Sequence, residues 1–125
     1  MVMGSTFINM TNHPSCRWSD EQLDAARQYG HIVDIPFPAV DPTVGPEEIA
    51  LMADTYIEKI RAFEDPTVLV QGEFTLVFAV VTRLKAEGIR ALAACSERDV
   101  VEIKSDDGTT VQKSVFRFRR FREYV

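Results

Sequence analysis

The stretch Thr67 to Ala94, TVLVQGEFTLVFAVVTRLKAEGIRALAA, decides the fold. Thr67 to Val70 is a continuous run of the kind that a strand covered on both faces requires. Gly72 breaks the run, and the spacing then predicts a helix from about Glu73 to Glu87, ending at Gly88. Ile89 to Ala94 reads as a second buried strand. Two such strands joined by one helix form a parallel pair with a right-handed crossover.

The same alternation extends towards the N-terminus. Thr6 to Met10 reads as a strand. Ser19 opens a helix with a capping-box pattern completed by Gln22, and Gly30 ends it. His31 to Phe37 is the next strand, closed off by Pro36 and Pro38. After the loop Val40 to Gly45, Pro46 sits in the first turn of a second helix, where its missing N–H costs nothing. Ile49, Met52, Ala53, Tyr56, Ile57, Ile60 and Phe63 define that helix's buried face. Towards the C-terminus, Val100 to Lys104, the turn Asp106-Asp107-Gly108 and Thr110 to Phe118 read as a hairpin. The expected architecture is α/β: a small Rossmann-like three-layer fold, a parallel four-stranded core, and a C-terminal antiparallel hairpin at the edge. One domain spans 1–125.

The third helix is apolar nearly all round. Phe74, Val77, Phe78, Val81 and Leu84 supply a core stripe, yet Leu76, Ala79 and Val80 are apolar too. A second copy of the chain would cover the surplus, which predicts a homodimer.

A length of 125 residues suits one domain, and 46% hydrophobic with 26% charged residues excludes disorder and collagen-like repeats. Two cysteines, Cys16 and Cys95, make no disulfide framework. The longest apolar run, Phe74 to Val81, falls far short of the ~18 residues a membrane span needs. Met1 to Ser5 lacks an export pattern. A cytoplasmic location and no membrane partner are expected. The net charge of −5 argues against a long duplex partner. Its distribution is uneven: 1–73 hold 4 basic and 12 acidic residues, and 74–125 hold 10 and 7. The basic C-terminal part suits a small anionic ligand, or simply offsets the acidic half.

In open parallel sheets ligands sit beyond the carboxyl ends of the strands. Those positions hold Asn12, His13, Pro14 and Ser15 after the first strand, Gln71, Gly72 and Glu73 after the third, and Cys95, Ser96, Glu97 and Arg98 after the fourth. His13 reads as a general base or phosphate donor, or as a turn residue before Pro14. Gly72 lets a phosphate approach a helix start, or serves structure alone. Glu73 is a candidate acid or base, or a helix-end charge. Arg98 is a phosphate clamp, or a salt-bridge partner of Glu97 or Asp99. His13, Cys16, Cys95 and His31 have zinc-ligand chemistry, but His31 starts a strand about 20 Å away, so no metal is expected.

Asn12-His13, Gln71-Gly72-Glu73 and Ser96-Glu97-Arg98, with Glu102, Gly108, Lys113 and the ending FRFRRFREY, form a spaced set. In this set the chain resembles small standalone CRISPR-associated Csx-type proteins, related to CARF domains and proposed to be ring nucleases. The resemblance implies a homodimer binding a cyclic oligoadenylate, cyclic tetra-adenylate above all, across a two-fold axis. It implies metal-independent cleavage without a cofactor: a ribose 2′-hydroxyl attacks phosphorus and leaves a 2′,3′-cyclic phosphate. Arg98 and Lys113 would stabilise charge, Ser96 and the Gly72 backbone would hold phosphate oxygens, and His13 or Glu73 would move protons. Asn12 and Gln71 would position ribose or adenine. The resemblance favours strand order 3-2-1-4 over 2-1-3-4. Position ranks Arg98 above Arg117, Arg119, Arg120 and Arg122 for ligand binding, because it is expected to follow a central strand at the carboxyl edge while they lie in or after a hairpin. The alternative is a non-catalytic sensor or interaction subunit of a CRISPR defence system.

Overall fold

Strand and helix alternate along the chain: β1 (Thr6–Met10), a 3-10 turn (Ser15–Arg17), α1 (Asp20–Arg27), β2 (His31–Asp34), α2 (Pro46–Arg61), β3 (Pro66–Val70), α3 (Phe74–Ala86), β4 (Arg90–Lys104) and β5 (Thr110–Glu123). The computed structural model describes residues 4–125, so the export-signal reading of Met1 to Ser5 falls partly outside the described residues. The five strands form one sheet in the order β2-β1-β3-β4-β5. The first four run parallel, and β5 runs antiparallel to β4.

The favoured order 3-2-1-4 is therefore corrected: β1 pairs with β3 from Thr6↔Pro66 to Met10↔Val70. Composition supplies the reason. Thr67 to Val70 is buried throughout and belongs in the interior of the sheet, whereas β2 begins and ends in the exposed residues His31 and Asp34. A half-polar strand of four residues tolerates an edge; β3 would not.

Helices cover both faces. Phe7, Leu69, Leu92 and Phe121 pack with Ala26 of α1. On the opposite face Ile8, Met10, Val68, Val70 and Ala91 meet Ile49, Ala53, Ile57 and Ile60 of α2 and Leu76, Val80, Val81 and Leu84 of α3. Each large side chain so buried contributes about 1.5–3 kcal/mol. The start of α1 is as expected, with Ser19 Oγ accepting from Gln22 N at 3.2 Å. Its end is not set by Gly30. The helix stops at Arg27, and Gly30, at φ 153°, lies where a Cβ would come within 2.4 Å of Ser5 O.

Two further expectations are corrected. β4 does not stop at Ala94 but continues to Lys104, so the fourth strand and the first hairpin strand are one element. Ser96, Glu97 and Arg98 thus lie inside a strand rather than beyond its end. The pairing jumps from Cys95↔Arg120 to Ser96↔Phe118, leaving Arg119 as a bulge, and the two strands then run on as a ribbon. The register of α3 also differs. Leu76 and Val80, the surplus residues, are the core, while Phe74 and Phe78 point outward at 89% and 74% exposure. None of the described helices is long and apolar enough to cross a membrane.

The ribbon turns at Ser105–Thr109. The Asp107 carboxylate accepts from Ser105 Oγ, Thr109 Oγ1 and Thr109 N, which lowers its pKa from 3.8 to about 2. A depressed carboxyl pKa stabilises the turn fully above 3.8, and that contribution disappears as pH falls towards 2. The Thr109 amide shift should titrate with a midpoint near 2; a midpoint near 3.8 would show that these bonds do not form.

Candidate functional site

At the carboxyl end of β1 the chain buries an amide. Asn9 is 1% exposed and donates through Nδ2 to His13 O at 2.9 Å and to Asp34 Oδ1 at 3.0 Å. Its Oδ1 accepts from Thr11 Oγ1 at 2.8 Å, and Thr11 Oγ1 accepts in turn from His13 N at 3.1 Å. The other Asp34 oxygen accepts from Ser15 N and Ser15 Oγ, and Trp18 Nε1 donates to His13 O. Every polar atom of the Asn9 side chain is therefore engaged, as burial demands. The loop after β1 is thereby tied to β2, and the His13 main chain is fixed between three donors and acceptors.

Beside this loop lies a cleft of about 760 Å³, lined by His13, Arg17, Trp18, Gln71, Ser96 and Phe118 among others. It opens where strand order reverses, between the carboxyl ends of β1 and β3, and is walled by α1 and the base of the ribbon. Gln71 has a defined place there: its Oε1 accepts from Ala94 N at 2.9 Å. The last β3–β4 register pair is Leu69↔Leu92, so the amide side chain extends the link beyond the ladder. The Gln71 amide N–H groups remain to donate to a ligand. Ser96 stands opposite Phe118, and Ser19 and Gln22 contribute the start of α1.

Of the residues expected to act together, the structure gathers His13, Gln71 and Ser96. Asn12 is exposed between two lining residues. Gly72 is taken up by packing: a Cβ there would fall 2.4 Å from the buried Phe37 ring. Glu73 caps α3, accepting from Thr75 N at 3.0 Å and Leu76 N at 2.8 Å. The Thr75 hydroxyl and these two amides hold its carboxyl below the usual range, so it is ionised at neutral pH and is no proton donor. Arg98 is exposed on the ribbon, opposite Phe116, and donates to Ser114 Oγ at 3.1 Å. Lys113 lies farther out, opposite Val101.

Arg98 does not follow a strand end, because β4 runs on through it to Lys104. The acids once offered as its partners are taken: Glu97 pairs with Arg119 and Asp99 with Arg117, each within 2.8 Å. Cys16 and His31 line a separate hollow with Leu23 and Arg27 of α1.

Sequence reasoning missed Asn9, Thr11, Asp34, Arg17 and Trp18. The available signal was a polar residue inside an otherwise apolar strand, Asn9 in TFINM. Arg17 is exposed and lines the cleft, which leaves its guanidinium available there.

Residues 5–122 match the Uncharacterized protein MJ1673 family, and the chain belongs to that family. No curated protein matches it.

Asn9→Leu should destabilise the protein by about 1–3 kcal/mol, because Thr11 and Asp34 lose a buried partner. In hydrogen exchange the His13 and Ser15 amides should lose protection first; unchanged protection would remove Asn9 as the anchor. Gly72→Ala should cost about 1–3 kcal/mol through the Phe37 contact, read from denaturant midpoints. Gly72→Ala combined with Phe37→Leu should recover part of that loss.

Proposed function

We propose that this member of the Uncharacterized protein MJ1673 family is a Rossmann-like, CARF-related, CRISPR-associated cytoplasmic protein that binds a cyclic oligoadenylate in the carboxyl-edge cleft and cleaves it without metal. The observation carrying the proposal is the lining of that cleft. Trp18, Phe116 and Phe118 offer apolar and aromatic surface to bases, as nucleic-acid sites do through stacking worth about 1–3 kcal/mol per base. Arg17 offers a forked cation to phosphate, and Gln71 and Gln22 offer amides to base edges.

In this reading His13 accepts the 2′-hydroxyl proton, Arg17 stabilises charge on the phosphoryl oxygens, and Ser96 donates to one of them. Glu73, Arg98 and Lys113 stand outside the cleft and have no part in it. The cleft volume, about 760 Å³, falls within the roughly 300–1,000 Å³ of small-ligand sites.

Cyclic tetra-adenylate incubated with the protein in EDTA should yield linear products ending in a 2′,3′-cyclic phosphate. His13→Ala should slow cleavage by about 100-fold or more with binding retained. Arg17→Ala should weaken binding by about ten-fold or more. A ligand bound but uncut leaves the sensor reading. Absence of binding overturns both.

A further inference from the structure

The outer ribbon of β4 and β5 is long, thin and bare. Every residue from 100 to 114 is exposed, so neither face is covered by the rest of the chain. Two-stranded ribbons are marginally stable alone in water, and this one extends roughly 20 Å from Arg98↔Phe116 to Lys104↔Thr110.

Its two faces differ. Directly opposed residues share a face. Asp99, Val101 and Ile103 lie opposite Val115, Lys113 and Val111, which makes one face mainly aliphatic. The other carries Arg98, Val100, Glu102 and Lys104 opposite Phe116, Ser114, Gln112 and Thr110. By alternation along β4 the aliphatic face continues that of Ala91, which packs with α3. α3 covers this same face, and the exposed Phe74 and Phe78 lie in its first turns, just beyond the carboxyl end of β3.

Charge on the aliphatic face is segregated by strand. The β4 half contributes the acids Glu97 and Asp99; the β5 half contributes Lys113 and Arg117, the latter paired with Asp99. We propose that this face, with Phe74 and Phe78, is the interface of a two-fold homodimer. The two-fold axis runs parallel to the ribbon strands, so that β4 of one copy packs on β5 of the other.

The charges select a second copy in that orientation. An axis across the strands would stack β4 on β4 and β5 on β5, bringing Lys113 towards Lys113 of the partner subunit. The parallel axis instead lays the acid-bearing strand over the base-bearing one twice, with Asp99 within a two-residue step of Lys113 of the partner subunit. The ribbon alone is smaller than the ~800 Å² per partner of a stable interface. Exposed Phe74 and Phe78 extend it, because this orientation places both bodies at the same end of the paired arms. This inference does not depend on the proposed ligand.

Val100 and Ile103 provide the test. They lie on the same strand at 57% and 51% exposure but on opposite faces. Light scattering of the intact chain at tens of micromolar should report about twice 14.1 kDa. Ile103→Lys should raise the dimer dissociation constant by about ten-fold or more, and Val100→Lys should leave it within about two-fold. Phe74→Ser, on a different element, should also weaken the dimer if Ile103→Lys impairs folding by circular dichroism. A monomeric parent chain overturns the proposal. So does equal weakening by both ribbon substitutions, or a dimer indifferent to Phe74→Ser.

Discussion

One buried amide organises the carboxyl edge of the sheet. Asn9 sits in a strand that is otherwise threonine and apolar residues, and its side chain could not be buried there without partners for both its oxygen and its nitrogen. Thr11 and Asp34 supply them, and the third partner is the main chain at His13. That last bond links packing to chemistry. The cost of desolvating an amide is offset only if the following loop folds back, and once it has folded back His13 is held at the mouth of the cleft. Apolar replacement would fill the space in the core but leave His13 O, Asp34 and Thr11 without this partner. The polar residue inside β1 therefore serves the site more than the sheet.

Strand order follows from a second constraint, the distribution of polarity among the strands. β3 is apolar enough to be enclosed, and β2 is not, so β1 and β3 become central neighbours. The chain leaves β1 towards α1 on one face and returns through α2 on the other. Their carboxyl ends consequently diverge into loops on opposite sides, and a cleft opens between them. His13 and Gln71, 58 positions apart in sequence, meet there for that reason. Gln71 also closes the gap left where β4 peels away from β3, through its bond to Ala94.

Most of this fold is legible in the residues, and the exceptions share a cause. Pattern alone locates the strand of Thr6–Met10, the Ser19 cap, the Pro46 helix start and the buried face of α2, because each depends on near neighbours. It does not say that β4 continues past Ala94. Ser96 to Asp99 carries one neutral polar and three charged residues, which reads as a loop when judged for burial; it is a strand because β5 satisfies its backbone and the cross-strand pairs Arg119–Glu97 and Arg117–Asp99 accommodate its charges. The helical stripe of α3 fails similarly. Phe74, Val77, Phe78, Val81 and Leu84 fit a helical period as well as Leu76, Val80 and Leu84 do, and only the packing of α3 against α2 and the sheet chooses between them. Of the candidate site, His13, Gln71 and Ser96 were legible as polar residues near strand ends. Glu73 and Gly72 were legible as a helix start, but a capping carboxylate and a catalytic one look the same in a sequence.

The uneven charge also has a structural meaning. The acidic excess belongs to the segment holding α1, α2 and their loops, and the basic excess is concentrated in β5, whose far side has no neighbouring strand. An exposed edge of 14 residues invites pairing with any other extended chain. Arginines at positions 117, 119, 120 and 122 make pairing of β5 with a second β5 electrostatically costly, while the bonds of Arg119 to Glu97 and of Arg117 to Asp99 keep those two compatible with the strand they already have. The bulge at Arg119 adds a local twist that turns the edge away from a flat partner. Charge and twist guard the edge, whereas on the adjoining face Lys113 and the Asp99–Arg117 pair are set among the aliphatic Val101, Ile103, Val111 and Val115. The face that continues towards Phe74 and Phe78 is thus richer in aliphatic surface than the arginine-lined edge beside it.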